Sequence, residues 1–395
     1  QGLQVRGRLP AISDRTGRLT PMVLFTDRAS CAVDAARGET VNQYRLLSEA
    51  GAGTFCSVRW AEANGRRFAV KSFSRHVLDR KVVPRFDRDG VTTVPLRERI
   101  EQELDILGDA SHPHVLTLEE VIDDPKHDTL YAVLEGLQGG QLMEWSSHCN
   151  AYTASPEQPL ELKGWVGEVC SGVPPADSKR DDVVVYHETV SKYLFRQLLE
   201  ATAYLHERCV IHKDLKPDNV LLTLPAPVAD PRFVRILSLA GWPEVAPPRD
   251  VGCKSPSCTD DSLLKLMQQA GFVAKLGDFN TAAVCSTPDC LIYDAEGTTQ
   301  FTPPECFKDH SDGLKGGPRD VWSLGCILFT MLFGRCPFWA QTNIKLQLVI
   351  MDPSTVVVPE GVISKGAEDL LRALIYKEPQ GRPSAAGALG HAWLQ

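Results

Sequence analysis

Val210-Ile211-His212-Lys213-Asp214-Leu215-Lys216-Pro217-Asp218-Asn219-Val220-Leu221-Leu222 is the stretch that decides the fold. An apolar pair, a charged loop and a closing apolar run read as strand, loop, strand. His212, Asp214, Lys216 and Asn219 stand at fixed offsets in the loop. Such a loop needs partners supplied in order by the rest of the chain.

At 395 residues the chain is long enough for a large two-lobed enzyme or for two or three ordinary domains. A hydrophobic content of 43% with 23% charged residues fits a soluble globular protein. Basic residues number 42 against 50 acidic, a net charge of -8, which disfavours nucleic acid or an acidic membrane as the main partner. The longest apolar run, Val321 to Phe333, is too short to span a bilayer. Twelve cysteines lie scattered without a short-domain framework, which points to a reducing, cytoplasmic setting. Cys253 and Cys258 are loosely spaced with no second pair behind them, and read as loop thiols rather than a zinc site. The chain begins at Gln1, so an upstream signal or anchor stays open.

Residues 1 to about 40 show little periodicity and read as a flexible N-terminal extension, the alternative being a clamp on the element that follows. Val41 to Val58 reads as strand, turn, strand, with Ala50-Gly51-Ala52-Gly53 opening the turn. The two glycines let the backbone close over an anion. One hairpin later, Phe68-Ala69-Val70-Lys71 is an apolar strand with no reason of its own to present a lysine. Residues 72–95 form an insert rich in Arg and Asp, with Pro84 and Pro95. Leu96 to Asp109 is helical, because Ile100, Leu104 and Leu107 recur at three- and four-residue steps. Glu103 lies beside that stripe and reads either as an acid to pair with Lys71 or as a solvated Glu among Glu98, Glu101 and Glu103. Thr129 to Glu135 is a buried strand, followed by Gly136-Leu137-Gln138-Gly139-Gly140-Gln141.

Residues 146–185 are polar and proline-containing and read as a mobile insert. His187 to Arg208 is an amphipathic helix with Leu194, Leu198, Ala201 and Leu205 on one face. A second insert, about 224–270, interrupts the hairpin expected after Leu222 and holds a short helix over Ser262 to Ala270. Phe272 to Leu276 then resumes the pattern ahead of Gly277-Asp278-Phe279-Asn280.

His212-Lys213-Asp214-Leu215 with Asn219 resembles the H-R-D-L-x-x-x-N loop of protein kinases, Lys213 standing in place of Arg. Together with Gly51, Gly53, Lys71, Glu103, Asp278, Glu305, Asp320 and Arg382, in that order, the set is similar to a eukaryotic protein kinase from about residue 41 to 395. The resemblance implies an α+β, two-lobed fold: a small antiparallel β-sheet lobe with one helix over about 41–135, and a large, mainly helical lobe over about 141–395. It also implies ATP, Mg²⁺ and a protein substrate. Asp214 would accept the proton of the attacking hydroxyl, Lys216 would neutralise the transferring phosphoryl group, and Asn219 and Asp278 would hold Mg²⁺. Ala50, Gly51, Ala52, Gly53, Val58 and Ala69 would line the nucleotide, with Phe55 folded under the turn. Lys71, paired with Glu103, would hold the α- and β-phosphates. Leu134 would guard the deep pocket, the backbone of Glu135 and Leu137 would bond the adenine edge, and Gln141 would stand near the ribose. Thr298 would seat the acceptor beside Asp214 and Lys216. Phe279 would pack inside, Asp320 would brace the loop backbone, and Arg382 would pair with Glu305. Lys216 after Asp214-Leu215 is similar to serine/threonine rather than tyrosine kinases.

Val41 to Tyr44, the insert after Lys71, Val121 to Tyr131 and Phe333-Gly334-Arg335-Cys336-Pro337-Phe338 resemble the calcium/calmodulin-dependent protein kinase kinase family. That implies a substrate that is itself a kinase, phosphorylated on an activation-loop Thr and recruited with help from the insert after Lys71. The calmodulin segment of that family would follow the domain and is not within this chain. Four positions depart from the kinase pattern: Cys56 and Asn280 for Gly, Lys213 for Arg, and Pro303 for Ala. The alternative they raise is a nucleotide-binding pseudokinase scaffold, yet none removes a group that would contact Mg²⁺, phosphate or the acceptor proton. Asn280 is the non-glycine residue type that best tolerates a positive φ, so that substitution is chemically moderate. Asp294 stands four residues before Thr298, where many kinases carry a phosphorylated Thr. A single Lys213 suits a carboxylate better than a phosphate, so activity without activation-loop phosphorylation is expected, against unrelated drift at both sites. Cys56 would be an activated thiol over the phosphates, or simply a small residue at a loop tip.

Overall fold

Period-two alternation in Tyr44 to Ser74 builds the first part of the molecule, because every second side chain there finds an apolar face to cover. The computed structural model describes residues 23–34, 38–146, 151–153, 166–167, 185–186, 188–223, 267–268, 271–287, 291–308, 312–354, 358–359 and 362–395. The chain divides into two compact units, residues 1–84 with 93–136, and residues 85–92 with 137–395.

The first unit is built on a sheet of eight strands: β1 (Leu24–Thr26), β2 (Cys31–Asp34), β3 (Gly38–Val41), β4 (Tyr44–Ala52), β5 (Ser57–Ala63), β6 (Arg66–Ser74), β9 (Leu118–Ile122) and β10 (Thr129–Glu135). Their order is β1-β9-β10-β6-β5-β4-β3-β2. Neighbours run antiparallel except β1, which lies parallel to β9. Val41, Tyr44, Leu46, Ala61, Phe68, Val70, Ile122 and Val133 form one buried cluster, with the Tyr44 and Phe68 rings edge to face at 5.2 Å. Between β6 and β9 come α1 (Arg75–Arg80), a hairpin of β7 (Val82–Asp87) and β8 (Gly90–Pro95), and α2 (Leu96–Asp109). Leu96, Ile100, Leu104 and Leu107 are its buried stripe.

Two expectations change here. The sheet is mixed rather than wholly antiparallel, and the described part of the expected flexible extension forms strands at 24–26, 31–34 and 38–41, in line with the clamp alternative. The cause is a pair of acids on and after β9. Glu120 is buried and accepts from Gln43 Nε2 at 2.8 Å, from the Tyr44 hydroxyl at 2.8 Å and from the Thr26 hydroxyl. Asp124 accepts from the Ala29 N–H at 3.0 Å. A buried carboxylate must find donors, and the N-terminal segment supplies them. Residues 1–22 lie outside the described residues. The stretch 72–95, read as an insert, runs from the end of β6 through a helix and a hairpin.

The second unit is mainly helical: α3 (Glu188–Glu207), α4 (Gly316–Phe333), α5 (Asn343–Met351), α6 (Lys365–Leu374) and α7 (Ala385–Leu389). Every residue of α4 from Arg319 to Leu332 is buried. A helix apolar nearly all round is expected at the centre of a bundle, and α3 and α6 pack against it. Gly334 ends α4 at φ 67°, the left-handed position glycine takes without strain. The Trp322 ring stacks on Phe338 at 5.5 Å, with the Lys377 ammonium 4.5 Å from Phe338 and the Arg382 guanidinium 4.9 Å from Trp322.

Short antiparallel ladders join the loops of this unit: β11 (Glu144–Ser146) with β12 (Ala151–Thr153), β13 (Val166–Gly167) with β14 (Val185–Tyr186), and β15 (Val210–Ile211) with β18 (Ala283–Val284). β16 (Val220–Leu222) pairs with β17 (Ala274–Leu276), and β19 (Leu291–Ile292) with β20 (Leu314–Lys315). The stretch read as a mobile insert from 146 therefore begins with an ordered strand, whose Tyr152 is buried and donates its N–H to Gly334 O at 3.2 Å. The second insert and the Cys253–Cys258 pair lie outside the described residues, as does the helix expected over 262–270 apart from 267–268. Cys285 is disulfide-bonded, which departs from a purely thiol reading of the cysteines. No described helix is long and apolar enough to cross a membrane.

Candidate active site

In the first unit, β4, β5, β6 and β10 set the nucleotide-binding candidates in register. Gly51 faces Val58, Val58 faces Lys71, and Ala69 faces Leu134. Ala50, Gly51 and Ala52 end β4, and the turn closes where the Gly53 N–H donates to Cys56 O at 2.9 Å. A Cβ on Gly53 would lie 2.7 Å from the Cys56 sulfur, so the thiol fills the space below this glycine. Phe55 is half-buried, with the Lys81 ammonium 4.2 Å from its ring centre. Lys71 Nζ bonds Glu103 Oε1 at 2.7 Å, with Glu103 only 3% exposed. A buried Glu on α2 is thus neutralised by the strand lysine. The Glu135 N–H is taken by Thr117 O at 3.0 Å, at the end of the strand pair that sets Glu135 opposite Phe68.

In the second unit, β15 and β16 hold the ends of the opening loop, with Pro217–Asn219 as a single 3₁₀ turn between them. Leu142 N–H donates to Val220 O at 2.7 Å and Leu222 N–H to Gly140 O at 2.9 Å, and Gln141 bridges Leu221. Gln141 is thereby anchored on the strand that leaves the loop.

Four side chains converge at the loop itself. Lys216 Nζ lies 2.8 Å from Asp214 Oδ2 and 3.0 Å from the Thr298 hydroxyl. The Thr298 N–H and hydroxyl each donate to Asp214 Oδ1 at 2.8 Å. Asn219 Nδ2 donates to the Asp214 carbonyl at 2.8 Å, which leaves its Oδ1 on the opposite side. Burial pushes the Asp214 carboxyl upward, but the Lys216 charge and the bonds from Lys216 and Thr298 outweigh it and hold it below its usual range. At neutral pH it is a carboxylate.

The adjoining strand brings the second acid. Gly277 N–H donates to Asn219 O at 3.0 Å, so Asp278 follows directly beside Asn219. Asp278 sits at φ 61°, while Asn280 is not among the positive-φ residues. The left-handed backbone conformation therefore falls on the acid and not on Asn280 in the glycine position. His212 Nε2 bonds Gly277 O at 3.0 Å, and the buried Phe279 ring packs 4.9 Å from the imidazole.

Asp320 braces the loop from behind. Its oxygens accept from His212 N at 2.9 Å, Lys213 N at 3.0 Å and His206 Nε2 at 2.9 Å. Burial works to raise this carboxyl, but the His206 bond and nearby positive charge prevail and lower it. Arg382 grips Glu305 with two parallel bonds, 2.6 Å and 2.8 Å.

Lys213 reaches Asp294 at 2.8 Å and Glu296 at 3.1 Å, and Arg319 joins them 3.5 Å from the Asp294 carboxylate. Glu296, Arg319 and His206 carry no signal in the linear pattern.

The described residues contain no cluster of three or more His, Cys, Asp and Glu able to hold a metal. Asn219 Oδ1 and the Asp278 carboxylate are hard oxygen donors, and no described group donates to either. That donor set fits Mg²⁺, which is ordinarily held by one or two side chains together with phosphate oxygens.

Comparison with known proteins matches the protein kinase domain over residues 44–236 and 262–394. The interval between them falls inside the expected second insert. Serine/threonine-protein kinase GRIK2 of Arabidopsis thaliana is 25% identical over 360 residues, covering 90% of this chain and 66% of its own. A calcium/calmodulin-dependent protein kinase kinase of Caenorhabditis elegans is 24% identical over 391 residues, covering 95% and 57%. Serine/threonine-protein kinase cds1 of Schizosaccharomyces pombe is 26% identical over 360 residues, covering 89% and 58%. The chain thus spans less than two thirds of the length of these relatives. With that domain matched across most of its residues, the chain belongs to the protein kinase family.

Proposed function

We propose that this chain is a serine/threonine protein kinase that transfers the γ-phosphate of Mg-ATP to a protein hydroxyl. The observation that carries the reading is the convergence of Asp214, Lys216, Thr298 and Asn219, with Asp278 beside them. The acceptor hydroxyl gives its proton to Asp214 as its oxygen bonds the γ-phosphorus. The bond from that phosphorus to the bridging oxygen breaks, and its electron pair leaves with ADP. Lys216 stands next to Asp214 and offsets charge on the moving phosphoryl group. Thr298 holds the carboxylate in place and borders the acceptor.

Asn219 and Asp278 would hold Mg²⁺, which supplies neutralisation of the phosphate oxygens when bound. Lys71, fixed by Glu103, is the cation for the α- and β-phosphates. Ala50, Gly51, Ala52, Gly53, Val58, Ala69 and Leu134 are the nucleotide lining. The backbone of Glu135 and Leu137 would read adenine, and Gln141 would stand near the ribose.

We infer further that the acceptor is another kinase. The support is the printed name of the C. elegans relative, which acts on a protein kinase, together with the structured stretch after Lys71. Wild type and Asp214→Asn are incubated with Mg-ATP and candidate kinases, and the modified residue is read by mass spectrometry. The variant should lose on the order of 10²–10⁴ in rate. Equal label from both would remove Asp214 as the base, and label outside activation segments would remove the upstream role.

A further inference from the structure

Lys213 takes no part in the proton or phosphate chemistry, yet it is buried and held at φ 68°. A left-handed non-glycine residue costs about 1–3 kcal/mol and persists only where its surroundings over-determine it. Its surroundings here are ionic. The ammonium contacts Asp294 Oδ2 at 2.8 Å and Glu296 Oε2 at 3.1 Å. Arg319, on the fully buried side of α4, donates from Nη1 to Asp294 O at 2.9 Å and from Nη2 to Glu296 O. The Glu296 N–H returns to Asp294 Oδ1 at 2.9 Å. Two cations meet two carboxylates, so the set is neutral and its carbonyls are satisfied.

The cluster ends at the catalytic carboxylate. Gly297 follows Glu296 at φ 130°, and a Cβ there would stand 2.7 Å from Lys213 O. Only glycine allows that approach. The next residue is Thr298, whose N–H and hydroxyl hold Asp214. A shift of residues 294–297 must therefore move both the brace on Asp214 and the backbone carbonyl one residue before it.

We propose that Asp294, Glu296 and Arg319 act through Lys213 as positioning residues that fix Thr298 on Asp214, and so hold this segment in its working place without a phosphate. The proposal rests on the protein kinase reading above. Kinase activation segments are commonly ordered when a phosphate pairs with Arg. A lone Lys is a compact point charge that suits a carboxylate, and in this cluster the negative charge is already built into the chain.

The test compares wild type, phosphatase-treated wild type, Asp294→Asn, and the joint variant Lys213→Met with Asp294→Leu, which leaves neither partner of that pair charged. Transfer kinetics are measured together with hydrogen exchange of the 291–301 segment and of α4. Both variants should lose about ten- to a hundredfold in kcat, with ATP KM moved by less than about threefold. Exchange should rise in the segment and not in α4, and phosphatase should leave wild-type kcat unchanged. Loss of activity on phosphatase treatment overturns the proposal, as do variants that keep wild-type kcat and exchange. If wild type transfers no more phosphate than Asp214→Asn, the kinase reading fails, and the exchange result alone decides whether the cluster positions the segment.

Discussion

Replacing Asp320 with Asn keeps the side-chain shape and removes one charge. Three donors converge on the native carboxylate, two of them the N–H groups of His212 and Lys213 and the third the His206 ring. Asn offers a single acceptor oxygen and turns an amide NH₂ toward a donor. One buried donor is then unpaired, at about 1–3 kcal/mol, and the surviving bonds lose their charge assistance, about 1 kcal/mol more. Removing a buried charge can also relieve a desolvation cost. The direction of the Asp320 shift settles which effect wins, because the folded surroundings favour the charged form despite complete burial. The expected destabilisation is therefore about 2–4 kcal/mol, set against a typical total of about 5–15. Urea unfolding followed by tryptophan fluorescence should show a lower midpoint at unchanged slope. In the folded variant kcat should also fall, because the left-handed Lys213 has lost its anchor. A midpoint equal to or above wild type would refute the reasoning.

Glu103→Gln leaves Lys71 without its buried anion, and breaking such a pair costs about 3–5 kcal/mol at full burial. With Lys71 17% exposed the lower end applies, so kcat/KM for ATP should fall by about a hundredfold, and a change below about threefold would count against the pair. For pH, Asp214 and Asp320 both have folded pKa values below the ordinary ~3.9. Their stabilisation is present above that value and is lost as pH falls through the lowered folded values. Burial raises Asp218 instead, which gives it the opposite sign. The urea midpoint should drop below about pH 4, and Asp320→Asn should flatten that drop; an equally steep fall in the variant would contradict the assignment.

The readable part of the site consists of residues whose type is forced by chemistry at a fixed spacing. A lysine on an apolar strand and an acid beside a helical stripe pointed to the Lys71–Glu103 pair, which the structure contains. Lys213 pointed to Asp294 through the kinase resemblance, which puts a partner for the loop's basic residue four positions before Thr298, and the structure contains that pair. Glu296 and Arg319 were not legible, because an acid in a loop and a basic residue near a helix start are ordinary on any surface. What distinguishes them is burial, a tertiary property. The N-terminal strands were hidden in a similar way. They join the sheet through edge pairing and donors to Glu120 and Asp124, with few apolar residues to mark a period.

The clamp formed by β1, β2 and β3 bears on where this domain can be cut. The matched kinase region begins at residue 44. A recombinant form trimmed there would lose β1 from the flank of β9 and β3 from the flank of β4, leaving both rims of the sheet with bare backbone. Bare rims recruit strands from other chains. Glu120 would keep Tyr44 but lose Thr26 and Gln43, two of its three donors, in a half-opened pocket. Expression from about residue 23 should give a monodisperse protein, where the shorter form self-associates.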